Sequence, residues 1–205
     1  MTGFWRGTAP LVLASQSLAR RGLLSAAGIP FDVYAAAIDE RAIEAPLVAA
    51  GANAADIALH LSRAKALPVS KEKPGRLVIG ADQTLCLEGR LLGKPASCAA
   101  AMAQLEALSG RTHELYSGCC VARENSILFG TVGVARLTCR RLSPAFIEAY
   151  MTNVGDALLG IAGAYRIEGA GIHLFDAIEG DHPTILGLPL LTLLKFLREE
   201  GSLLS

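Results

Sequence analysis

Only 19% of this 205-residue chain is charged, so charges at the ends of apolar runs carry information. Asp82 closes "LVIGAD", Asp39 and Glu40 stand in "AIDER", Lys65 ends an amphipathic stretch, and Lys94 sits in "LLGKPAS". Upstream, "LVLASQSLARRGLL" leaves an apolar run on Ser15 and Ser17 and continues through Arg20 and Arg21. Each position has an ordinary structural use. Ser17 suits a helix cap, Lys65 a cationic last turn, Asp82 a turn, and Lys94 a solvated hairpin. As a set they are an inventory for phosphate chemistry. Ser15, Ser17, Arg20, Arg21, Lys65 and Lys94 can bind phosphates, the basic side chains neutralising their charge, while Glu40 and Asp82 can hold a divalent cation or activate water. The reaction such a set serves is hydrolysis of a phosphate ester or anhydride. A helix start at Ser15–Arg21 adds free N–H groups and a favourable dipole for an anion. No Gly-rich lysine loop is present, which excludes a P-loop enzyme, and "GAGIHL" lacks the spacing of a dinucleotide fingerprint.

The elements that must position these groups follow from periodicity. Strands are expected at Leu11–Ala14 and Phe31–Ala37, a helix at Leu18–Ala27 ended by Gly28, and a polar loop over "IDERAIEAP". Asn53 starts a helix to about Ala66, and "LVIGA" is a short strand stopping at Asp82. A hairpin turns at Glu88-Gly89. Ser97 caps a helix through Leu108, two long strands cover 112–122 and 126–140, and Ser143-Pro144 opens another helix. A glycine-rich section precedes a strand over "IHLFDAI", and a helix closes between Leu188 and Glu199. Strands and helices alternate, which indicates an α/β fold.

Composition narrows the partners. Nineteen basic residues balance nineteen acidic ones, which is the wrong balance for general nucleic-acid binding. The longest apolar stretch, "ILGLPLLTLLKFL", falls short of the roughly 20 residues of a membrane span. The apolar run after Arg6 is too short for a signal peptide. The five cysteines show no two-residue spacing of a metal or redox motif and read as reduced packing residues of a cytoplasmic protein. The four histidines are too scattered to suggest a metal site.

Seven blocks in order, "LVLASQSLARRGLL", "IDER", "VIGADQT", "LLGKP", "LSGRTHELYSG", "GIAGAYRIEGAG" and "IEGDHPTILGLPL", make the chain resemble the Maf nucleoside triphosphate pyrophosphatases from about residue 10 to 200. The resemblance implies an α/β fold with an elongated mixed sheet, flanking helices and a central cleft, as in inosine triphosphatase-like proteins. It also implies a single domain over residues 1–205 with two lobes around that cleft; the chain's own pattern puts a lobe boundary near the hairpin after Asp82. A homodimer, and Mg- or Mn-dependent hydrolysis of a nucleotide to a monophosphate and diphosphate, come with it. By the same correspondence Asp82 is the catalytic base. Ser15, Arg20, Lys65 and Lys94 bind substrate, and Glu40 ligates the metal with Asp82. Whether Asp82 takes the water's proton or binds the cation stays open, because a carboxylate bound directly to a cation is a poor base. As a phosphate contact, Arg20 should be replaceable by Ala at a cost in turnover and not in stability.

Two positions resemble the 7-methyl-GTP branch of the family: Gln83 follows the aspartate, and Glu168 stands where the dTTP/UTP branch has glutamine. A carboxylate only accepts hydrogen bonds, and guanine presents N1–H and N2–H₂ side by side. The chain departs from the family's "SPRR" with Leu18 for proline and Ala19 for the first arginine or, in the 7-methyl-GTP branch, tryptophan, so no ring there stacks on a cationic base. A modified purine triphosphate is the expected substrate. The rival readings are a dTTP/UTP pyrophosphatase, a phosphatase releasing orthophosphate, and a nucleotide-binding regulator of septum formation without turnover.

Overall fold

A computed structural model of the chain describes residues 3–205. Among these residues the strands are β1 (Leu11–Leu13), β2 (Phe31–Val33), β3 (Val78–Leu87), β4 (Arg90–Leu92), β5 (Thr112–Arg123), β6 (Ser126–Cys139) and β7 (Phe175–Glu179). The helices are α1 (Leu18–Ala26), α2 (Glu40–Ala49), α3 (Ala54–Glu72), α4 (Cys98–Leu108), α5 (Pro144–Val154), α6 (His182–Ile185) and α7 (Leu190–Glu199). The strands form one sheet in the order β2-β1-β3-β5-β6-β7, with β4 on β3. β1 pairs in parallel with β2 and β3, whereas β4 on β3 and β7 on β6 are antiparallel. The fold is therefore α/β with a mixed sheet, as the alternation of elements indicates.

The chain divides into two compact units. The first holds the residues up to Gln83 together with Tyr116–Gly133 and Asp181–Ser205. β1 and the start of β3 are buried on both faces, which is why they read as unbroken apolar runs. Leu11, Leu13, Ile79 and Val121 face a core shared with Leu24 of α1 and Leu193 and Leu197 of α7. Val12, Ala14, Val78 and Cys120 face the opposite side, against Ala66 and Val69 of α3. The second unit holds Thr84–Leu115 and Val134–Gly180. There Leu105 and Leu108 of α4, Ile147 and Tyr150 of α5, and Leu137 of β6 are buried.

Several boundaries differ from the sequence reading, each for a local reason. The "IDERAIEAP" stretch is not a loop but the start of α2. The Asp39 side chain caps it by accepting from the Ala42 N–H at 3.1 Å, and Glu40 suits the positive end of the dipole. Pro46 lies exposed inside this helix, and its carbonyl still accepts from Ala50 N–H at 3.0 Å. α3 likewise runs past Ala66 and Pro68 to Glu72, because Val69 and Ser70 continue its buried face. β2 stops at Val33, short of Ala37. Asp82 does not end a strand; it lies in the middle of the ten-residue β3.

Candidate active site

The first unit brings most of the predicted polar set together at two places. At the β1–α1 turn, Ser17 caps α1 by accepting from the Arg20 N–H at 3.4 Å, and Ser15 Oγ accepts from the Ser17 N–H at 3.3 Å. The Arg20 side chain turns inward and is only 9% exposed. Its Nε donates to the Gly187 carbonyl at 2.8 Å, and its Nη1 donates to the Ala81 carbonyl at 2.9 Å and to Ser15 Oγ at 3.0 Å. Loss of water on burial pulls the guanidinium below its usual range, and the nearby Asp82 charge opposes that shift. Arg20 thus ties the turn to β3 and to the segment before α7, so its removal cannot be neutral for stability. Neighbouring Arg21 is half-buried, and its Nε has no hydrogen-bond partner among the described residues.

The second place is built on α3 and β3. Lys65 reaches from the buried face of α3 to Asp82, with Nζ 2.5 Å from Oδ1 and 2.9 Å from Glu40 Oε1. The Lys65 and Asp82 side chains are 9% and 10% exposed, and that of Glu40 is 43% exposed. One ammonium stands between two carboxylates, with the buried Arg20 guanidinium near both, and the open side lies at Glu40. Glycine makes this approach feasible. A Cβ on Gly80 would fall 2.0 Å from the Ser62 carbonyl oxygen, and one on Gly118 would fall 2.3 Å from that of Ala58. α3 therefore lies directly on the backbones of β3 and β5, and Lys65 meets Asp82 two residues along from Gly80 on the same strand face.

Gln83, next on β3, points to the opposite face. Its Nε2 donates to Ser117 Oγ at 2.9 Å and to the carbonyls of Thr184 and Ile185 at 3.2 and 3.0 Å. Ser117 itself donates to the Thr184 carbonyl at 2.7 Å. Sequence reasoning missed Ser117 and Thr184; the "LSGRTHELYSG" and "GDHPT" blocks carried them, without a charge to draw attention. Lys94 and Glu168 belong to the second unit, where each is exposed in a connecting segment, Lys94 after β4 and Glu168 in a turn before β7.

Among the described residues, no group of three or more His, Cys, Asp or Glu side chains converges as a metal site. The pair Glu40 and Asp82 does converge, since both carboxylates meet one Nζ. Two hard oxygen donors completed by substrate phosphates is an arrangement Mg²⁺ commonly uses, so the donor set fits a divalent cation. Four of the five cysteines are buried and all are free. Burial pushes the Cys120 thiol up to about 11, which suits packing and not reactivity. No described helix is long and apolar enough to cross a membrane.

Comparison with known proteins gives this site a context. The family model described as Maf-like protein matches residues 10–200. The nucleoside triphosphate pyrophosphatase of Nitrobacter winogradskyi is 55% identical over 198 residues, covering 96% of each chain. The protein of that name from Rhodopseudomonas palustris (strain ATCC BAA-98 / CGA009) is 56% identical over 200 residues, or 97% of this chain and 98% of the relative. The 7-methyl-GTP pyrophosphatase of Brucella abortus is 49% identical over 193 residues, covering 94% of this chain and 97% of the relative.

Proposed function

The chain belongs to the Maf-like protein family and is a nucleoside triphosphate pyrophosphatase; from that premise we propose that its preferred substrate is a modified purine nucleotide resembling 7-methyl-GTP. The activity is hydrolysis to a nucleoside monophosphate and diphosphate. The observation that carries the chemistry is the buried Lys65–Asp82 pair with Glu40 at its open side.

In this mechanism water attacks the α-phosphorus, and the bond from that phosphorus to the α–β bridging oxygen breaks. Asp82 takes the water's proton, and diphosphate leaves with the electron pair. Lys65 holds the Asp82 carboxylate through Oδ1, which leaves Oδ2 to take the proton. Lys65 Nζ pairs with both carboxylates, and its remaining donor capacity serves a phosphate oxygen. With Asp82 acting as the base, Glu40 at the open side is the residue that would hold a divalent cation, whose contribution when bound would be to neutralise charge developing on the leaving diphosphate. By motif correspondence Lys94 contacts the phosphate chain.

The purine reading rests on Glu168 and Gln83, on the carboxylate's match to the donor pair of guanine, and on the similarity to the Brucella protein. A site that hydrogen-bonds its substrate discriminates strongly, because the wrong base leaves a polar group unpaired. A panel of canonical and methylated triphosphates, run in ¹⁸O-water with Mg²⁺ and Mn²⁺, tests the whole scheme. Label is expected in the monophosphate, with diphosphate as co-product and 7-methyl-GTP or GTP ahead of UTP and dTTP. Label in the diphosphate overturns the site of attack. Preference for a pyrimidine overturns the role of Glu168.

A further inference from the structure

A buried polar contact of the second unit, between His113 and Tyr165, anchors the glycine-rich segment 160–171 and plays no part in the scheme above. We propose that His113 and Tyr165 are positioning residues for base recognition: their hydrogen bond holds this segment in the backbone conformation that presents Glu168. The inference rests on the reading of Glu168 given above.

The segment adopts a backbone that its own sequence would not hold. Gly163 has φ of 80° and Ala164 φ of 56°, the latter a left-handed conformation that costs energy for a residue with a Cβ. Three side chains fix it. Gln104 of α4 accepts from the Gly163 N–H at 3.0 Å. Tyr150 of α5 donates to the Ala164 carbonyl at 3.4 Å. The Tyr165 hydroxyl meets His113 Nε2 at 2.7 Å. His113, on β5, is fully buried and Tyr165 is 5% exposed. The Tyr165 ring also packs edge-on against Phe175, with centroids 4.9 Å apart. Burial pushes the His113 imidazole down to about 4, so at neutral pH the contact joins two uncharged groups and its directionality is that of an ordinary hydrogen bond.

From this anchor the chain passes through Arg166 and buried Ile167 to Glu168. The Gly169 N–H closes that turn on the Arg166 carbonyl at 3.3 Å. Gly171 then folds back against the same peptide, where a Cβ would fall 2.3 Å from the Arg166 carbonyl oxygen. Glu168 is exposed at a turn whose approach is fixed at Tyr165 and whose return is fixed at Gly171. A shift of the Tyr165 backbone is therefore transmitted to Glu168, three residues away.

The test uses the full-length Tyr165→Phe protein, with the double variant His113→Leu/Tyr165→Phe in parallel. The double variant removes both polar partners, so it keeps an apolar core where the single one strands an imidazole. Three quantities are read for each: amide hydrogen exchange over residues 160–171, melting temperature, and the ratio of kcat/KM for 7-methyl-GTP to that for UTP. Faster exchange from Ala164 to Gly171 is expected. The ratio is expected to fall by about tenfold, the weight of one neutral hydrogen bond, through KM for the purine with kcat little changed. A purely structural role would lower the melting temperature and scale both substrates equally. Unchanged exchange in both variants overturns the clamp, whatever Glu168 does. Faster exchange with an unchanged ratio also overturns the proposal, and Glu168→Gln then separates the causes. If Glu168→Gln lowers the ratio, the segment does not position the carboxylate; if it does not, Glu168 is not reading the base.

Discussion

Lys65 donates to Asp82 and forms an ion pair with Glu40, so changing any one of the three alters the other two. Asp82→Asn keeps the size of the side chain and removes both the base and the charge that Lys65 was answering. A positioned base contributes about 10²–10⁴-fold, and kcat measured by diphosphate release should fall by that order. Arg20 is a different case. Serines and arginines at a strand-to-helix turn suggest an open phosphate receiver, but the guanidinium is buried and bonded to Gly187, Ala81 and Ser15. The sequence could not reveal this, because the carbonyl of Gly187 lies 167 residues away. Arg20→Ala strands two buried carbonyls and should cost about 2–4 kcal/mol in urea unfolding, where a contact to phosphate alone would leave the unfolding midpoint in place. His113 gives a pH signature. Its folded value of about 4 lies below the ordinary 6.5, so between those limits the unfolded chain binds the proton first. Its contribution to stability is thus fully present above pH 6.5 and lost as pH falls toward 4, with a slope of up to about 1.4 kcal/mol per pH unit. Urea unfolding of the parent and of His113→Leu/Tyr165→Phe from pH 7 to pH 4.5 should show the flatter profile in the variant.

At the scale of elements, the site depends on how closely α3 lies on the sheet. Helix α3 was legible from Asn53, whose side chain accepts from the Asp56 N–H at 2.9 Å, and from the apolar spacing of Ile57 and Leu61. Its continuation past Pro68 was not, because a proline usually ends a helix and here it falls on the exposed side. Helix α2 was hidden in the same way by Pro46 and by charges that read as a loop. Yet its Asp39 cap and first-turn Glu40 are ordinary start signals. The role of Gly80 was illegible for another reason: a glycine in a strand announces a close approach without saying what approaches. Gly80→Ala would set a methyl group 2.0 Å from the Ser62 carbonyl oxygen and 2.8 Å from the Ala66 nitrogen. α3 must then lift, carrying Lys65 away from Asp82. Overpacking of this kind costs about 1–3 kcal/mol, and activity should fall much further than stability does. Gly22→Ala in α1 is the control, since nothing lies within 4 Å of its added methyl group. It should stabilise the protein by about 0.4–1 kcal/mol through the unfolded state. If Gly80→Ala behaves like Gly22→Ala in urea unfolding and turnover, the glycine approach does not set the Lys65–Asp82 pair.

At the scale of the whole molecule, alternating elements made the α/β class legible, but nothing local shows that each unit is assembled from separated pieces of chain. β3, β5 and β6 each pass from one unit to the other, so the first unit's core cannot be read as one continuous stretch of sequence. Its larger cluster takes Leu11, Leu13, Leu24, Ile29, Leu77 and Ile79 from the chain before Thr84, then Cys119 and Val121, then Leu188, Leu193 and Leu197. Ser15, Arg20, Glu40, Lys65 and Asp82 all precede Thr84, so a fragment ending at Gln83 retains them. It loses what holds them. Arg20 would have no Gly187 carbonyl, Gln83 no Ser117 or Thr184, and the inner faces of β1 and β3 neither β5 nor α7. A chain of that size is already marginal for burying enough apolar surface, and here half the facing layer is missing. The fragment is therefore expected to melt without a cooperative transition in far-UV circular dichroism and to bind 8-anilinonaphthalene sulfonate, with no measurable turnover. A cooperative melt of the isolated fragment would mean that the first unit's fold is encoded before Thr84 and that its later segments are accessories.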